Sequence, residues 1–140
     1  MPEAKPDQLV IDTNIFVSLI ISQRIDELVD FVADHDLTLY ACSELLQELA
    51  STLNKPGIKK YLKQPPEYYV SFVADLCQEV VIDKRLDRAA DPDDNFLFDL
   101  AYTVKAYYIV TSERLLLNMK HVNRINVISY GQLKRLLAGK

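Results

Sequence analysis

Four acidic residues, distant from one another along the chain, are the strongest candidates for chemistry in this sequence: Asp12, Glu48, Asp94 and Glu113. Carboxylate oxygens are the ligands that hard divalent cations such as Mg²⁺ and Mn²⁺ take in proteins. Carboxylates gathered in one cleft repel one another by roughly 1 to 4 kcal/mol per close pair, and a bound cation removes that repulsion. If the fold brings these residues together, we expect a divalent metal site that assists hydrolysis of a phosphodiester.

Further polar residues lie near these acids in the sequence. Asp99 follows Asp94 by five positions, about 140° around a helix, so its membership of the site depends on where that helix begins. The side chains expected to fix the metal ligands by hydrogen bonds are Asn14, Thr111 and Ser112.

Each acid has a simpler explanation when it is considered alone. Asp12 follows a strand-like run, where a turn residue or helix cap is about as frequent as a ligand. Glu44 and Glu48 are four residues apart, which is typical of a solvated helix face. The segment DPDDN at 91–95 suits a capping turn, and Glu113 suits the first turn of a helix. Only their joint placement favours a site.

The elements that must position these residues follow from hydrophobic periodicity. Strands are predicted at Gln8–Ile11, Leu37–Ala41, Glu79–Ile82 and Tyr107–Val110, with a possible edge strand at Asn126–Ile128. Helices are predicted after Asp12 through Ile20, at Ile25–Ala33, at Glu44–Leu53 with Ser43 as its cap, within 58–63, from Pro66 to Cys77, from DPDDN through Val104, at Leu115–Leu117 and at Tyr130–Leu137.

Strands that alternate with helices predict an α/β fold in which helices cover both faces of a mainly parallel sheet of four to five strands. Ligands of such folds bind beyond the carboxyl ends of the strands. Asp12 follows the first predicted strand and Glu113 the fourth, so both belong to that edge. Glu48 lies one turn inside the helix after the second strand.

The length and composition predict one domain over residues 1–140, with 1–7 and 139–140 as loose ends. No stretch approaches the roughly 20 apolar residues of a membrane span, and the start MPEAKPDQ is too polar for a signal peptide, so we expect a cytosolic protein. Cys42 and Cys77 lack CxxC spacing and lie in apolar runs, which predicts buried thiols. His35 and His121 are isolated, so no zinc ligand set is apparent.

The formal charge of −4 argues against binding of nucleic acid through bulk charge. Local positive charge is concentrated in two segments, and such runs are more often solvated faces than binding patches. The residues of these segments that are candidates for nucleic-acid contacts are Lys55, Lys59, Lys60 and Lys63 in the first, and Arg114, Lys120 and Arg124 in the second.

Four pieces of the sequence together resemble the PIN-domain ribonucleases. They are VIDTNIFVSLI (Val10–Ile20), SELLQEL (Ser43–Leu49), DPDDNFLFDLA (Asp91–Ala101) and YIVTSERLL (Tyr108–Leu116). The resemblance spans about four-fifths of the chain. The DPDDN form is closest to the VapC-like toxin subfamily of bacterial toxin-antitoxin systems.

This resemblance implies a three-layer α/β/α fold, Mg²⁺- or Mn²⁺-dependent cleavage of RNA, frequent homodimers, and inhibition by a protein antitoxin that plugs the acidic cleft. The family's first acid matches Asp12, its second Glu48 and its third Asp94, while Asp99 matches a further acid of the toxin-like subfamily. At the position of Glu113 the family usually has Asp, so the metal geometry or the activity is expected to differ here.

Three other interpretations compete with a nuclease. A PIN fold without catalysis would act as a binding module, for which Glu113 is the only indication. A phosphoacceptor receiver domain could use Asp83, but the paired acids expected after its first strand are missing, because Thr13 and Asn14 follow Asp12. A phosphotransferase with a DxDxT motif fails at Asn14 for the same reason.

Overall fold

The computed structural model describes residues 7–83 and 95–139, in which six strands and eight helices form. The strands are β1 (Gln8–Ile11), β2 (Thr38–Ala41), β3 (Gln78–Glu79), β4 (Tyr108–Val110), β5 (His121–Val122) and β6 (Ile125–Ile128). The helices are α1 (Thr13–Ile21), α2 (Ile25–Asp34), α3 (Ser43–Leu53), α4 (Pro56–Lys59), α5 (Pro66–Leu76), α6 (Asn95–Val104), α7 (Arg114–Met119) and α8 (Tyr130–Ala138).

The strands form one sheet in the order β3-β2-β1-β4-β6-β5, in which only β5 is antiparallel to its neighbour. Val10 pairs with Tyr40 on one side and with Ile109 on the other, and Ile11 lies beside Val110. The carboxyl ends of β1 and β4 are therefore adjacent, which is the edge where the sequence places Asp12 and Glu113.

Helices flank this sheet, and the predicted α/β class is confirmed. Leu9, Val10 and Ile11 of β1 are all buried, as expected for a central strand covered on both faces. Helix α6 packs against β1, β2 and β4 and buries Phe98 and Leu100 completely. Helix α3 lies between α1 and α5 and also contacts α6.

Within 7–83 and 95–139 the sheet has six strands rather than the predicted four to five. Asn126–Ile128 was expected to be at the edge, but β6 lies between β4 and the two-residue strand β5, which the sequence analysis did not predict. Strand β3 covers Gln78–Glu79 instead of Glu79–Ile82. Val80 still donates its N–H to the Ala41 carbonyl at 2.9 Å, but residues 80–83 form no regular strand, and Val81 is 88% exposed.

Two helix starts also differ from the prediction. Cys42, not Ser43, is the cap residue of α3, because its backbone is extended and its carbonyl accepts the first helical hydrogen bond, from the Leu46 N–H at 3.1 Å. The short basic helix begins at Pro56 rather than within 58–63, since proline is favoured in the first helical turn, where no backbone N–H is needed.

The topology argues against the receiver interpretation. Receiver-like folds have the strand order 2-1-3-4-5, which places the third strand beside the first. Here β3 is an edge strand next to β2, and the exposed Asp83 lies four residues beyond it. Asp83 is therefore not held at the centre of the sheet edge.

Both cysteines are free thiols, as predicted. Cys42 is buried and Cys77 half-buried. Burial raises the pKa of the Cys42 thiol to about 11 and that of Cys77 to about 12, so both stay protonated at neutral pH and are poor metal ligands.

Across the described ranges 7–83 and 95–139, no helix combines the length and apolar character needed to cross a membrane.

Candidate active site

Asp12 lies at the junction between β1 and α1. Its backbone is extended and its N–H continues the sheet by donating to the Val110 carbonyl at 2.8 Å, while its own carbonyl accepts from the Ile15 N–H at 3.0 Å. A strand that turns directly into a helix leaves the side chain at the carboxyl edge of the sheet. Asp12 is only 1% exposed.

Thr111 connects Asp12 to the end of β4. The Thr111 hydroxyl donates to Oδ2 of Asp12 at 2.7 Å and accepts from the backbone N–H of Glu113 at 3.0 Å. Because the amide occupies the acceptor side of the hydroxyl, the hydroxyl proton is directed at the carboxylate. The Thr111 backbone is fixed in turn, since its N–H donates to the Ile128 carbonyl at 2.9 Å.

The electrostatic environment of Asp12 is unfavourable to its charge. Burial raises the pKa of Asp12 above its usual value, and the nearby charge of Glu113 raises it further. The Thr111 hydroxyl and the backbone N–H groups of Asn14 and Thr13 lower this pKa in part, although the carboxylate makes no cap hydrogen bond to α1. A cation at this place would therefore stabilise the ionised form.

The other predicted ligands lie on helices beside this junction. Glu48 is half-buried on α3, and Asp99 is 3% exposed on α6, which packs on β1. Both take part in polar or electrostatic contacts of their own. Asp94 lies outside the described residues.

Within 7–83 and 95–139, no three His, Cys, Asp or Glu side chains come close enough to hold a metal ion together. The structure brings Asp12 and Glu113 together through Thr111, but these two carboxylates need a further ligand. The remaining acid of the predicted set, Asp94, immediately precedes the described start of α6 at Asn95.

Asn14 and Ser112 are both exposed beside this junction. Asn14 acts on Asp12 through its backbone N–H rather than through its side chain. Of the three residues expected to fix the ligands by side-chain hydrogen bonds, Thr111 is therefore the one that does so among the described residues.

The residues present fit a hard divalent cation. The donors near Asp12 are carboxylate and hydroxyl oxygens, which suit Mg²⁺ or Mn²⁺, and the repulsion between Asp12 and Glu113 is the kind that a dication relieves. In the part of the chain that the structure describes, the buried Thr13 hydroxyl next to Asp12 also lacks a hydrogen-bond partner.

The first basic segment forms an exposed surface on α4 and the residues after it. Lys55, Lys59, Lys60 and Lys63 are all exposed. The ammonium of Lys60 lies 5.2 Å from the centroid of the Tyr61 ring, and Tyr61 is 56% exposed. Tyr61 was not among the predicted RNA contacts, although an aromatic residue among lysines is typical of surfaces that stack bases.

The second basic segment does not form a single patch along one sheet edge. Arg114 begins α7 directly after Glu113, on the side of Asp12. Arg124 lies in the turn between β5 and β6, at the amino-terminal ends of the parallel strands, whereas Asp12 lies at their carboxyl ends. Lys120, the C-cap residue of α7, is exposed between them in the sequence.

Comparison with known proteins identifies the domain type. A family model for the PIN domain matches residues 8–115, a range that contains every acid of the predicted site. The uncharacterized protein MJ1680 of Methanocaldococcus jannaschii is 26% identical over 131 residues, which cover 91% of this chain and 84% of that relative.

Proposed function

The chain belongs to the PIN domain family, and we propose that it hydrolyses phosphodiester bonds of RNA with Mg²⁺ or Mn²⁺ as its cofactor. PIN domains are generally nucleases that use divalent metal ions. The observation that carries the proposal is the buried Asp12, which is held by the Thr111 hydroxyl beside the charge of Glu113. Burial of so unfavourable a charge is expected where a cation completes the site.

In this proposal Asp12, Glu48, Asp94 and Glu113 hold the metal, with Asp99 as a further ligand. Because no three of these carboxylates are grouped within the described ranges, the proposal requires their side chains to close around the ion when it binds. When bound there, a divalent ion supplies a Lewis acid for the phosphate and lowers the pKa of a water. Thr111 keeps the Asp12 carboxylate in one orientation, because its hydroxyl is itself fixed by the Glu113 amide. Exclusion of bulk water from Asp12 strengthens the attraction between its carboxylate and a cation.

The RNA substrate would be held by local rather than overall charge. The exposed lysines of the first basic segment neutralise phosphates, and Tyr61 offers an aromatic face next to Lys60. Arg114 begins α7 one residue after Glu113, and in this proposal it binds a phosphate of the RNA beside the acids. Lys120 and Arg124 are proposed as further RNA contacts.

We also propose that this nuclease is the toxin of a toxin-antitoxin pair and acts as a homodimer. The support is the resemblance of DPDDN to the VapC-like toxins. An antitoxin would then inhibit it by covering the acids near Asp12. A short adjacent reading frame for a DNA-binding protein, whose product co-purifies with the chain and blocks cleavage, is the expected observation. A genomic setting without such a frame would point to a housekeeping nuclease.

The test of the nuclease is cleavage of a mixed-sequence RNA with millimolar Mn²⁺ or Mg²⁺. Asp12→Asn and Asp94→Asn should each abolish cleavage, whereas Asp26→Asn, an exposed acid on α2, should leave the rate unchanged. Chelation by EDTA should stop the wild type. Metal-independent cleavage, or cleavage that survives Asp12→Asn, would rule the mechanism out.

The second candidate is a PIN fold that binds RNA without cutting it. It is favoured by Glu113, whose longer side chain replaces the usual Asp. RNA binding by a pure protein that cuts under no metal condition would support this alternative over the nuclease.

A further inference from the structure

A cavity of about 560 Å³ opens at the amino-terminal ends of β4 and β6, whereas Asp12 lies at the carboxyl-terminal end of β1. It lies between the end of α6 and the turn that joins β5 to β6. Tyr107, one of its lining residues, precedes β4, whereas Thr111 follows β4, so the strand separates the cavity from the acids by on the order of 13 Å. The cavity is therefore distinct from the candidate active site.

The charge of the cavity is opposite to that of the whole chain. Lys105 and Arg124 line it, and among the residues that the structure describes no acidic side chain does. Within the described ranges neither cation forms an ion pair, in contrast to Arg24 and Lys134, which both pair with Glu27 at 2.7 and 3.0 Å. Two uncompensated cations at one cavity of a chain with a net charge of −4 indicate an anionic ligand.

The backbone at Lys105 is held in a conformation that lysine rarely adopts. Its φ is 60°, and α6 ends there because the Lys105 N–H donates to the Tyr102 carbonyl and the Ala106 N–H donates to the Ala101 carbonyl at 2.9 Å. Glycine is the usual residue at this position of a helix end. A lysine there sacrifices local stability and places a cation at the cavity.

The remaining polar lining suits an aromatic ligand. Tyr102 is 42% and Tyr107 38% exposed, so each offers part of its ring to solvent, and Asn123 brings an amide that both donates and accepts hydrogen bonds. The volume lies within the range of small-molecule sites. Phosphate recognition by two cations, combined with stacking on tyrosine, matches the chemistry of a nucleotide.

We propose that this cavity binds a nucleotide, with the phosphate at Lys105 and Arg124 and the base against Tyr107 or Tyr102. The nucleotide is either free or part of an RNA strand whose other end reaches the acids. This binding goes beyond the proposed hydrolysis and does not depend on it.

The test is titration of the full chain, in EDTA and at low salt, with adenosine monophosphate, with ribose 5-phosphate and with a five-residue oligoadenylate. Arg124→Ala and Lys105→Gly should each weaken nucleotide binding about tenfold or more, because each removes a charge-assisted contact. Lys105→Gly should also raise the melting temperature, so its loss of binding is not a loss of folding. Arg135→Ala, an exposed arginine of α8 outside the cavity lining, is the matched control.

Tight binding of the monophosphate assigns the cavity to free nucleotides, and binding of the oligoadenylate alone assigns it to a strand of RNA; both outcomes support the proposal. Ribose 5-phosphate should bind much more weakly than the monophosphate. Absence of binding, equal binding of ribose 5-phosphate, or affinities that Arg124→Ala and Lys105→Gly leave unchanged would overturn it. Since EDTA removes divalent metal, the result is independent of whether the chain cuts RNA.

Discussion

At the scale of the single residue, hydrogen bonds stabilise the ionised carboxylate of Asp12, whereas its burial destabilises it. Burial and Glu113 oppose the charge of Asp12, while Thr111 and two backbone N–H groups favour it. The pKa of Asp12 is raised, which means that the opposing effects prevail. Without a cation, the ionised carboxylate therefore costs the folded state free energy.

The first prediction is that Asp12→Asn stabilises the metal-free protein. Asparagine keeps an oxygen that can accept from Thr111 and removes a charge that burial, and to a smaller extent Glu113, make unfavourable. Urea unfolding at pH 7 in EDTA should show a higher midpoint for this variant. The matched change Thr111→Val should lower the free energy of unfolding by about 1 to 3 kcal/mol, since it leaves the buried carboxylate without its hydroxyl partner. A less stable Asp12→Asn would contradict the electrostatic interpretation of this site.

The second prediction concerns Glu113, where the family usually has aspartate. Glu113→Asp shortens the side chain by one methylene, and we expect it to raise the metal-dependent cleavage rate several-fold, because it restores the usual reach to the metal. Initial rates on one RNA at saturating Mn²⁺ measure the effect, with the exposed Ser112→Ala as control. A rate that falls in Glu113→Asp would show that this chain uses the longer carboxylate in its own geometry.

Sequence patterns predicted the position of Asp12 and Thr111 at one end of the sheet, but not which side chains form hydrogen bonds there. The acid after β1 and the hydroxyl after β4 were predictable, because parallel strands end at one edge and ligands gather there. That Thr111 rather than Ser112 bonds to Asp12 depends on which way each side chain points after the strand ends, and no spacing rule fixes this. The cavity at Lys105 and Arg124 was missed because its residues come from two segments with no shared motif.

At the scale of the element, a three-residue ion-pair cluster joins α2 to α8. Glu27 of α2 accepts from Arg24 at 2.7 Å and from Lys134 of α8 at 3.0 Å. The hydrogen bond from Lys134 is the largest cause of the lowered pKa of Glu27, and Arg24 lowers it further. The cluster therefore stabilises the folded state whenever Glu27 is ionised.

The third prediction is a pH-dependent contribution from Glu27. Because its folded pKa lies below the unfolded one, the stabilisation is present above the ordinary glutamate pKa and is lost as the pH falls through the lowered value. Glu27→Gln should cost no more than about 1 kcal/mol at pH 7, since these side chains are partly exposed, and less as the pH falls below about 4.5. Urea unfolding of wild type and variant at pH 7 and again below the ordinary glutamate pKa tests this, with Asp30→Asn, at an exposed acid of α2, as control. A difference that does not depend on pH would contradict it.

Hydrophobic periodicity predicted most elements to within one or two residues. It succeeded where apolar residues form a continuous run, as in β1, alternate, as in β2, or repeat with helical spacing, as in α2 and α8. It failed for β5, since two residues are too few to show a pattern and this strand depends on pairing with β6. It also placed the cap of α3 at Ser43, because sequence rules favour a hydroxyl, whereas the chain begins the helix one residue earlier.

At the scale of the whole molecule, the proposed binding of RNA, a polyanion, must overcome a net charge of −4. The first basic segment concentrates positive charge on an exposed surface that includes Lys59 and Lys60. The acids near Asp12 lie at the carboxyl ends of the strands. If RNA binds as proposed, long-range repulsion and local attraction act on it together, and their balance depends on salt.

The fourth prediction is that the double variant Lys59→Ala/Lys60→Ala weakens RNA binding without changing the fold. Removal of two phosphate contacts should reduce the slope of log affinity against log salt by about 1.4, the value expected for two contacts with a single strand. Fluorescence anisotropy of a labelled RNA in EDTA, at several salt concentrations, measures the affinity and its salt dependence. The control is Arg135→Ala, which removes an exposed charge of α8 outside the first basic segment. An unchanged slope would remove these lysines from the RNA interface.

The central claim is that Asp12 helps to hold a divalent cation, and its most direct test is the melting temperature with and without Mn²⁺. An ion at one hundred times its dissociation constant stabilises the folded state by about 2.7 kcal/mol, so millimolar Mn²⁺ should raise the melting temperature of the wild type clearly. Asp12→Asn should abolish this rise, and Asp26→Asn should keep it. No rise in the wild type, or an equal rise in Asp12→Asn, would contradict the account.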